Sequence, residues 1–318
     1  MVVFMKKTKN YQNIEAFLRN HGSLPLKRYS YSDIKKMTNS FRHKLGQGGY
    51  GGVYKGRLLD GCYVAVKNLI DSEGNGEEFI NEVASISRTS HVNIVTLLGF
   101  CFEGLTRALI YEYMSNGSLE KFICEKDQSQ TNHSLKWETL YQIAIGIARG
   151  LEYLHRGYFG LAKICPKRES IVSMIGVRET IGYIAPKVFS RNFGTVSHKS
   201  DVYSYGMMVI EMTRGRQSNN VGVDNSSELY FTQWVYERLE VDEELGLQGI
   251  SNEEDKERVR KMIIVSLWCI QTNPSDRPIM SREVEMLEGS INSLQIPPKP
   301  FLSSPRSAPR DSSINLLS

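Results

Sequence analysis

Five of the nine residues in Leu45-Gly46-Gln47-Gly48-Gly49-Tyr50-Gly51-Gly52-Val53 are glycine, in the pattern G-x-G-x-x-G followed by valine. Glycine has no Cβ, so such a backbone can approach a ligand closely and turn its N–H groups toward an anion. In a dinucleotide fold the glycines must follow a buried strand and open a helix, with an acid about 20 residues on. Asp71 stands near that distance, but Lys35-Lys36-Met37-Thr38-Asn39-Ser40 is no buried strand. Downstream, residues 56–66 read as a strand, an Asp60-Gly61 turn and a second strand. The glycines therefore belong to a hairpin, not to the mouth of a helix.

The second strand carries Val64-Ala65-Val66-Lys67, the V-A-x-K pattern that sets a lysine against nucleotide phosphates. Fifteen residues further on, Glu82 lies in the helical stretch Phe79-Ile80-Asn81-Glu82-Val83. An acid there would pair with Lys67 and turn a flexible side chain into a positioned cation. Glycine hairpin, lysine and acid at this joint spacing point to a phosphate-binding lid.

Composition narrows the rest. The chain has 318 residues, with 39 Lys+Arg against 35 Asp+Glu. The resulting net charge of +4 makes no electrostatic case for nucleic acid as a partner. Cys62, Cys101, Cys124, Cys165 and Cys269 lie far apart without metal-binding spacing, so neither zinc nor a disulfide framework is expected. No apolar run reaches the ~18 residues of a membrane span. Met1-Val2-Val3-Phe4-Met5 is too short for a signal-peptide core, and its charge order is wrong. As written, the chain reads as cytosolic.

Residues 1–40 are polar and basic. Strand-like alternation holds from 41 to about 115, with strands expected over 94–101 and 108–113. Asn116-Gly117-Ser118 then breaks the chain. In the second half Trp137, Leu140, Ala144, Ile147, Leu151 and Leu154 recur every three or four residues, one apolar stripe on a long helix. Further helices are expected after Ser200-Asp201 and over about 257–271, and residues 290–318 read as a disordered tail rich in Ser and Pro.

These motifs resemble the protein kinase family, and within it plant receptor-like serine/threonine kinases of the leaf-rust-resistance group. Besides the glycine loop, Val64–Lys67 and Glu82, the resemblance rests on His91-Val92-Asn93-Ile94-Val95, Tyr111-Glu112-Tyr113-Met114, Tyr153-Leu154-His155, Phe159-Gly160-Leu161-Ala162, Gly182-Tyr183-Ile184-Ala185-Pro186, Asp201-Val202-Tyr203-Ser204-Tyr205-Gly206 and Asp276-Arg277-Pro278. It implies an α+β, two-lobed kinase-like fold. A β-rich N-lobe would span 41–115 and a mainly helical C-lobe 116–289, after a juxtamembrane-like segment, 1–40. ATP is the nucleotide implied, held by Leu45, Gly46, Gly48, Gly51, Val53, Ala65, Lys67, Glu82, Tyr113 and Met114. Partners would be receptor kinases or other signalling proteins. In the family this part lies on the cytoplasmic side of an anchored receptor.

One part of the pattern is missing. A kinase needs a catalytic-loop aspartate as base, an asparagine on the same loop for metal, and the aspartate of D-F-G for Mg²⁺. They occupy a stretch of roughly 30 residues between the long helix and Phe-Gly-Leu. Here Leu154-His155-Arg156-Gly157 runs straight into Tyr158-Phe159-Gly160-Leu161, and no aspartate occurs between Asp127 and Asp201. His155-Arg156-Gly157 continues the apolar stripe and so reads as helix end rather than as a degenerate H-R-D. Residues 155–200 carry eight Lys/Arg and two Glu, a positive segment where metal ions should sit. No catalytic or metal residue is assigned, and Mg²⁺ held as in the family is not expected. The expectation is a catalytically inactive, scaffold-like relative, a pseudokinase. The alternative is an active ATP-dependent Ser/Thr kinase of which this is an incomplete gene model or splice form.

The deletion also predicts stress in the C-lobe. Three residues reach at most ~11 Å, so either Phe159-Gly160 leaves its usual place or the helix end unwinds. Asp201 loses the loop it anchors in the family and should take another donor, protonate or become exposed. Lys187 stands where the family pairs a glutamate with the arginine seen here as Arg277, and Glu179 replaces a glycine; together these predict a weakened fold.

Overall fold

The computed structural model describes residues 26–48, 51–69, 79, 83, 86–87, 89–104, 106–123, 135–161, 185, 197–214, 228–240 and 246–299. Its first half is a six-stranded sheet of β1 (Lys27–Tyr29), β2 (Lys44–Gly48), β3 (Gly51–Arg57), β4 (Tyr63–Leu69), β5 (Leu97–Glu103) and β6 (Thr106–Glu112). Strand order is β1-β5-β6-β4-β3-β2; β1 runs parallel to β5 and every other pair is antiparallel.

Period-two alternation sorts side chains onto two faces. On one face Val64, Val66, Cys101, Ala108 and Ile110 are buried against Ile34 of helix α1 (Tyr31–Met37). Ser30 and Asp33 start that helix with a reciprocal capping box: Asp33 N donates to Ser30 Oγ at 3.1 Å and Ser30 N to Asp33 Oδ2 at 3.0 Å. The Ser30 hydroxyl, donating to Asp33 Oδ2 at 2.7 Å, and then the Ser30 N–H hold the Asp33 carboxyl below the usual carboxylate range. Within the segment 1–40, read as a leading polar piece, Lys27–Tyr29 and Tyr31–Met37 thus supply a strand and a helix to the sheet half. On the other face Leu97, Phe100, Phe102 and Leu109 pack against Phe79 and Val83, both helical, as the Phe79–Val83 pattern predicts.

The second half is helical: α2 (Glu120–Ile123), α3 (Trp137–Leu161), α4 (His198–Arg214), α5 (Glu228–Glu240), α6 (Glu253–Cys269) and α7 (Met280–Glu288). Among its described residues no strand occurs beyond an isolated bridge at Leu247. The expected stripe on α3 is the core: Trp137, Leu140 and Ala144 are buried, and Ile147 and Leu151 pack against the cluster. Buried polar tips find acceptors, with Trp137 Nε1 donating to Gln248 O at 3.0 Å and Tyr205 OH to Ala144 O at 3.1 Å. The architecture is the α+β, two-part arrangement the motifs imply.

Two boundaries differ from the sequence reading. Helix α6 begins at Glu253, because Asn252 caps it by accepting from Asp255 N at 2.7 Å, and its acidic first turn has no apolar residue to announce it. The disordered tail expected from residue 290 gives way over 290–299. There Leu294 and Ile296 pack on the helical core, Trp268 Nε1 donates to Gln295 O at 2.8 Å, and Tyr236 OH donates to Pro298 O at 3.2 Å. Its composition is polar on average, yet its few apolar side chains are spaced to meet the core. Residues 300–318 lie outside the described part.

Candidate functional site

The glycine-rich segment forms a two-stranded lid. Gly46 pairs with Val53, Gln47 with Gly52, and Gly48 with Gly51. Gly51 has φ 135°, a conformation that a side chain at this position would strain. Register then carries the lid into the sheet: Val53 lies opposite Lys67 and Lys55 opposite Ala65. Val53, Ala65 and Lys67 therefore share the face that also holds Leu109 and Tyr111. All three are only partly buried, so the face remains open beside the glycine lid. Leu45 at one rim and Met114 at the other are exposed large apolar residues. Tyr113 and Met114 follow β6 directly, at the link toward the helical half. Glu82, proposed as partner to Lys67, lies outside the described residues.

Sequence reading missed one cation on this face. Lys55 Nζ sits 4.2 Å from the Tyr63 ring centroid and 4.6 Å from that of Tyr113, and the two rings are 6.0 Å apart. The signal was present: Lys55 is two residues from Val53 on the same strand, and so on the same face.

The sheet half meets α3 through residues 90–94. A Cβ on Gly146 would fall 2.8 Å from Asn93 Nδ2, so glycine there permits the close approach. Ser90 N donates to Tyr153 OH at 3.3 Å, and the His91 and Tyr153 rings stack at 5.1 Å.

At the break in the motif order, α3 runs unbroken to Leu161. Of the two alternatives, the helix does not unwind: the backbone of Phe159 and Gly160 is helical, continuous with His155-Arg156-Gly157. Arg156 confirms the helical spacing by pairing with Glu152 one turn back, at 2.5 Å. Asp201 has both taken a new donor and become exposed. His155 Nε2 lies 3.0 Å from its Oδ2, with the Asp201 side chain 56% and the His155 side chain 13% exposed. His198 stands edge-on to His155 at 5.6 Å; burial, then the neighbouring His155, lowers its pKa.

This pair joins α3 to α4 where the family has a loop. In a double-mutant cycle of His155→Ala and Asp201→Asn followed by urea unfolding, a coupling of about 0.5–1 kcal/mol is expected, the range for a half-exposed pair. Additive single effects would show that the contact contributes nothing.

Arg277 has acceptors of its own among the described residues. Fully buried, it donates to Gln271 O at 2.7 Å, Lys199 O at 2.9 Å and Thr272 O at 3.3 Å, and lies 5.0 Å from the Tyr203 ring. Among the described residues these acceptors are all backbone carbonyls; Lys187 and Glu179 lie outside them.

The family profile of the protein tyrosine and serine/threonine kinase domain matches residues 39–159 and, as a second segment, 157–287. The chain belongs to this kinase family. It is 51% identical to PR5-like receptor kinase of Arabidopsis thaliana over 330 residues, covering 94% of this chain and 49% of that protein. Against the rust resistance kinase Lr10 of Triticum aestivum identity is 47%, covering 92% of this chain and 50% of the relative. A leaf rust 10 disease-resistance locus receptor-like protein kinase-like 2.1 of Arabidopsis thaliana is 50% identical, with 88% and 48% covered. The chain spans about half the length of these curated relatives. Among its described residues no helix is long and apolar enough to cross a membrane.

The alignments carry a further signal. In the first of them 330 aligned positions take in 94% of 318 residues, about 299, so about 31 positions of the relative face no residue here. The family profile breaks at residues 157–159, where the helix end meets Phe-Gly-Leu.

Proposed function

We propose that this chain is a kinase-family module that keeps the nucleotide cleft, has lost phosphoryl transfer, and acts as a binding or scaffolding partner of receptor kinases or other signalling proteins. One observation carries the reading: α3 passes without interruption into Phe159 and Gly160, in a chain with no aspartate between Asp127 and Asp201. The sheet face with Val53, Ala65 and Lys67 in register supports retained nucleotide binding.

ATP would lie beneath Gly46, Gly48 and Gly51, between Leu45, Val53 and Ala65 and the 113–114 link, with Lys67 toward its phosphates. The residues do not fit Mg²⁺ as the family holds it. Tyr158 replaces the carboxylate that this hard cation selects, and Asp201 is engaged by His155. The pocket therefore reads as a cationic clamp without acidic metal ligands.

A thermal-shift titration tests this. ATP at about 100 times its Kd stabilises a folded protein by about 2.7 kcal/mol, which raises Tm by several degrees in a chain of this size. That rise is expected without Mg²⁺ and should vanish in Lys67→Met. A rise that needs Mg²⁺, or one that persists in the variant, would count against the reading.

The second reading is an active kinase of which this is a shorter product. It is favoured by the survival of Phe159-Gly160-Leu161-Ala162 and Gly182–Pro186 beyond the gap. A transcript restoring His-x-Asp and Asp-Phe-Gly would decide for it.

A further inference from the structure

Helix α7 opens with Met280-Ser281-Arg282-Glu283, and Glu283 is turned into the helical core with no exposed surface. Neither of its carboxylate oxygens has a hydrogen-bond partner. An ionised carboxylate in that position is strongly disfavoured.

The groups around it explain why it stays unpartnered. From α6 comes the Cys269 thiol, a weak donor close to the carboxyl. From α4 come Tyr205, whose hydroxyl is committed to Ala144 O, and Lys199, whose ammonium donates to the carbonyls of Arg277 and, at 3.1 Å, Pro278. On α3, Tyr141 gives its hydroxyl to Leu287 O. Arg277 is bound to three carbonyls. On its own helix Arg282 bonds Glu285 at 2.9 Å.

We propose that Glu283 is a proton-gated switch in the helical half. In the packed state it is neutral. On losing its proton to solvent it draws the Lys199 ammonium off the Arg277 and Pro278 carbonyls and loosens the start of α4 from the 274–278 turn.

Burial pushes the Glu283 carboxyl up to about 8, against the weaker pull of Cys269, Lys199 and Arg282. Lys199, the cation whose charge acts on it most, is itself lowered by burial. Because the folded carboxyl titrates above its ordinary 4.5, its stabilisation is complete below about 4.5 and is lost as pH rises through about 8. Between those limits each pH unit lowers the folding constant about tenfold. His198 works in the opposite sense below its ordinary 6.5, and Asp33 and Asp255 act below 3.8. The comparison must therefore be with a variant that changes Glu283 alone.

Urea unfolding of the full chain and of Glu283→Gln at about pH 5.5, 6.5 and 7.5 provides it. The wild-type folding constant should fall about tenfold per unit relative to the variant; equal slopes would overturn the switch. Should Glu283→Gln fail to fold, the wild type alone suffices. Its infrared spectrum should carry a protonated-carboxyl band at about pH 6 that fades toward about pH 9, and absence of that band at the lower pH would overturn it. Amide exchange over 197–202, corrected for intrinsic base catalysis, should quicken across the same range. An unchanged corrected rate would overturn the Lys199 movement.

Discussion

Purified protein supplied with radiolabelled ATP, Mg²⁺ and a Ser/Thr peptide is expected to transfer phosphate no faster than its Lys67→Met variant. Kinases of the family turn over at about 1–100 per second. Removing a general base alone typically lowers a rate by about 10²–10⁴, and losing the metal clamp removes transition-state stabilisation that the base does not supply. The two losses need not add; loss of the base alone would leave about 0.0001–1 per second. The lysine variant is the informative control because Lys67 still lies in register with Val53 on the cleft face. In a working enzyme its removal would abolish turnover, whereas here it should change only nucleotide binding. Turnover above the variant would mean that a carboxylate from elsewhere reaches the γ-phosphoryl, and would sink the proposal.

Much of this was legible because it rests on local regularities. Alternation in Val64-Ala65-Val66-Lys67 assigns Lys67 and Ala65 to one face and Val64 and Val66 to the buried other. The stripe from Trp137 to Leu154 gives α3. Other features come from contacts distant in sequence. Strand β1 is Lys27-Arg28-Tyr29, with no apolar alternation; only its parallel pairing with Gly99-Phe100-Cys101 makes it a strand. The His155–Asp201 contact joins residues 46 apart, across a deletion that the family pattern shows only as missing motifs. Glu283 could have been placed, since it is three residues after Met280 and four before Leu287, on the face both of them bury. A charged residue is ordinarily set on the wet side of a helix, and that habit hides it.

The same distance effect governs the partners of Arg277. The family pattern pairs this arginine with a glutamate, and the lysine at 187 suggests a broken buried pair. In the structure the guanidinium ties together the end of α6, the turn before α7 and the start of α4, through Gln271 O, Thr272 O and Lys199 O. The planar fork suits this because its N–H groups diverge toward three acceptors at once.

Arg277→Met is therefore expected to destabilise the helical half by about 3–5 kcal/mol, since each buried carbonyl left without its donor costs about 1–3 kcal/mol. It leaves buried carbonyls without donors and removes the cation beside Tyr203. Arg277→Lys should recover only part of the loss, since a single ammonium has neither the reach nor the spread to serve all three acceptors. Urea unfolding monitored through Trp268, on the neighbouring helix, measures both. A loss below about 1 kcal/mol for the methionine variant would place it with ordinary surface changes. That outcome would mean the carbonyls find other partners, and would return the stability of this region to residues outside the Arg277 network.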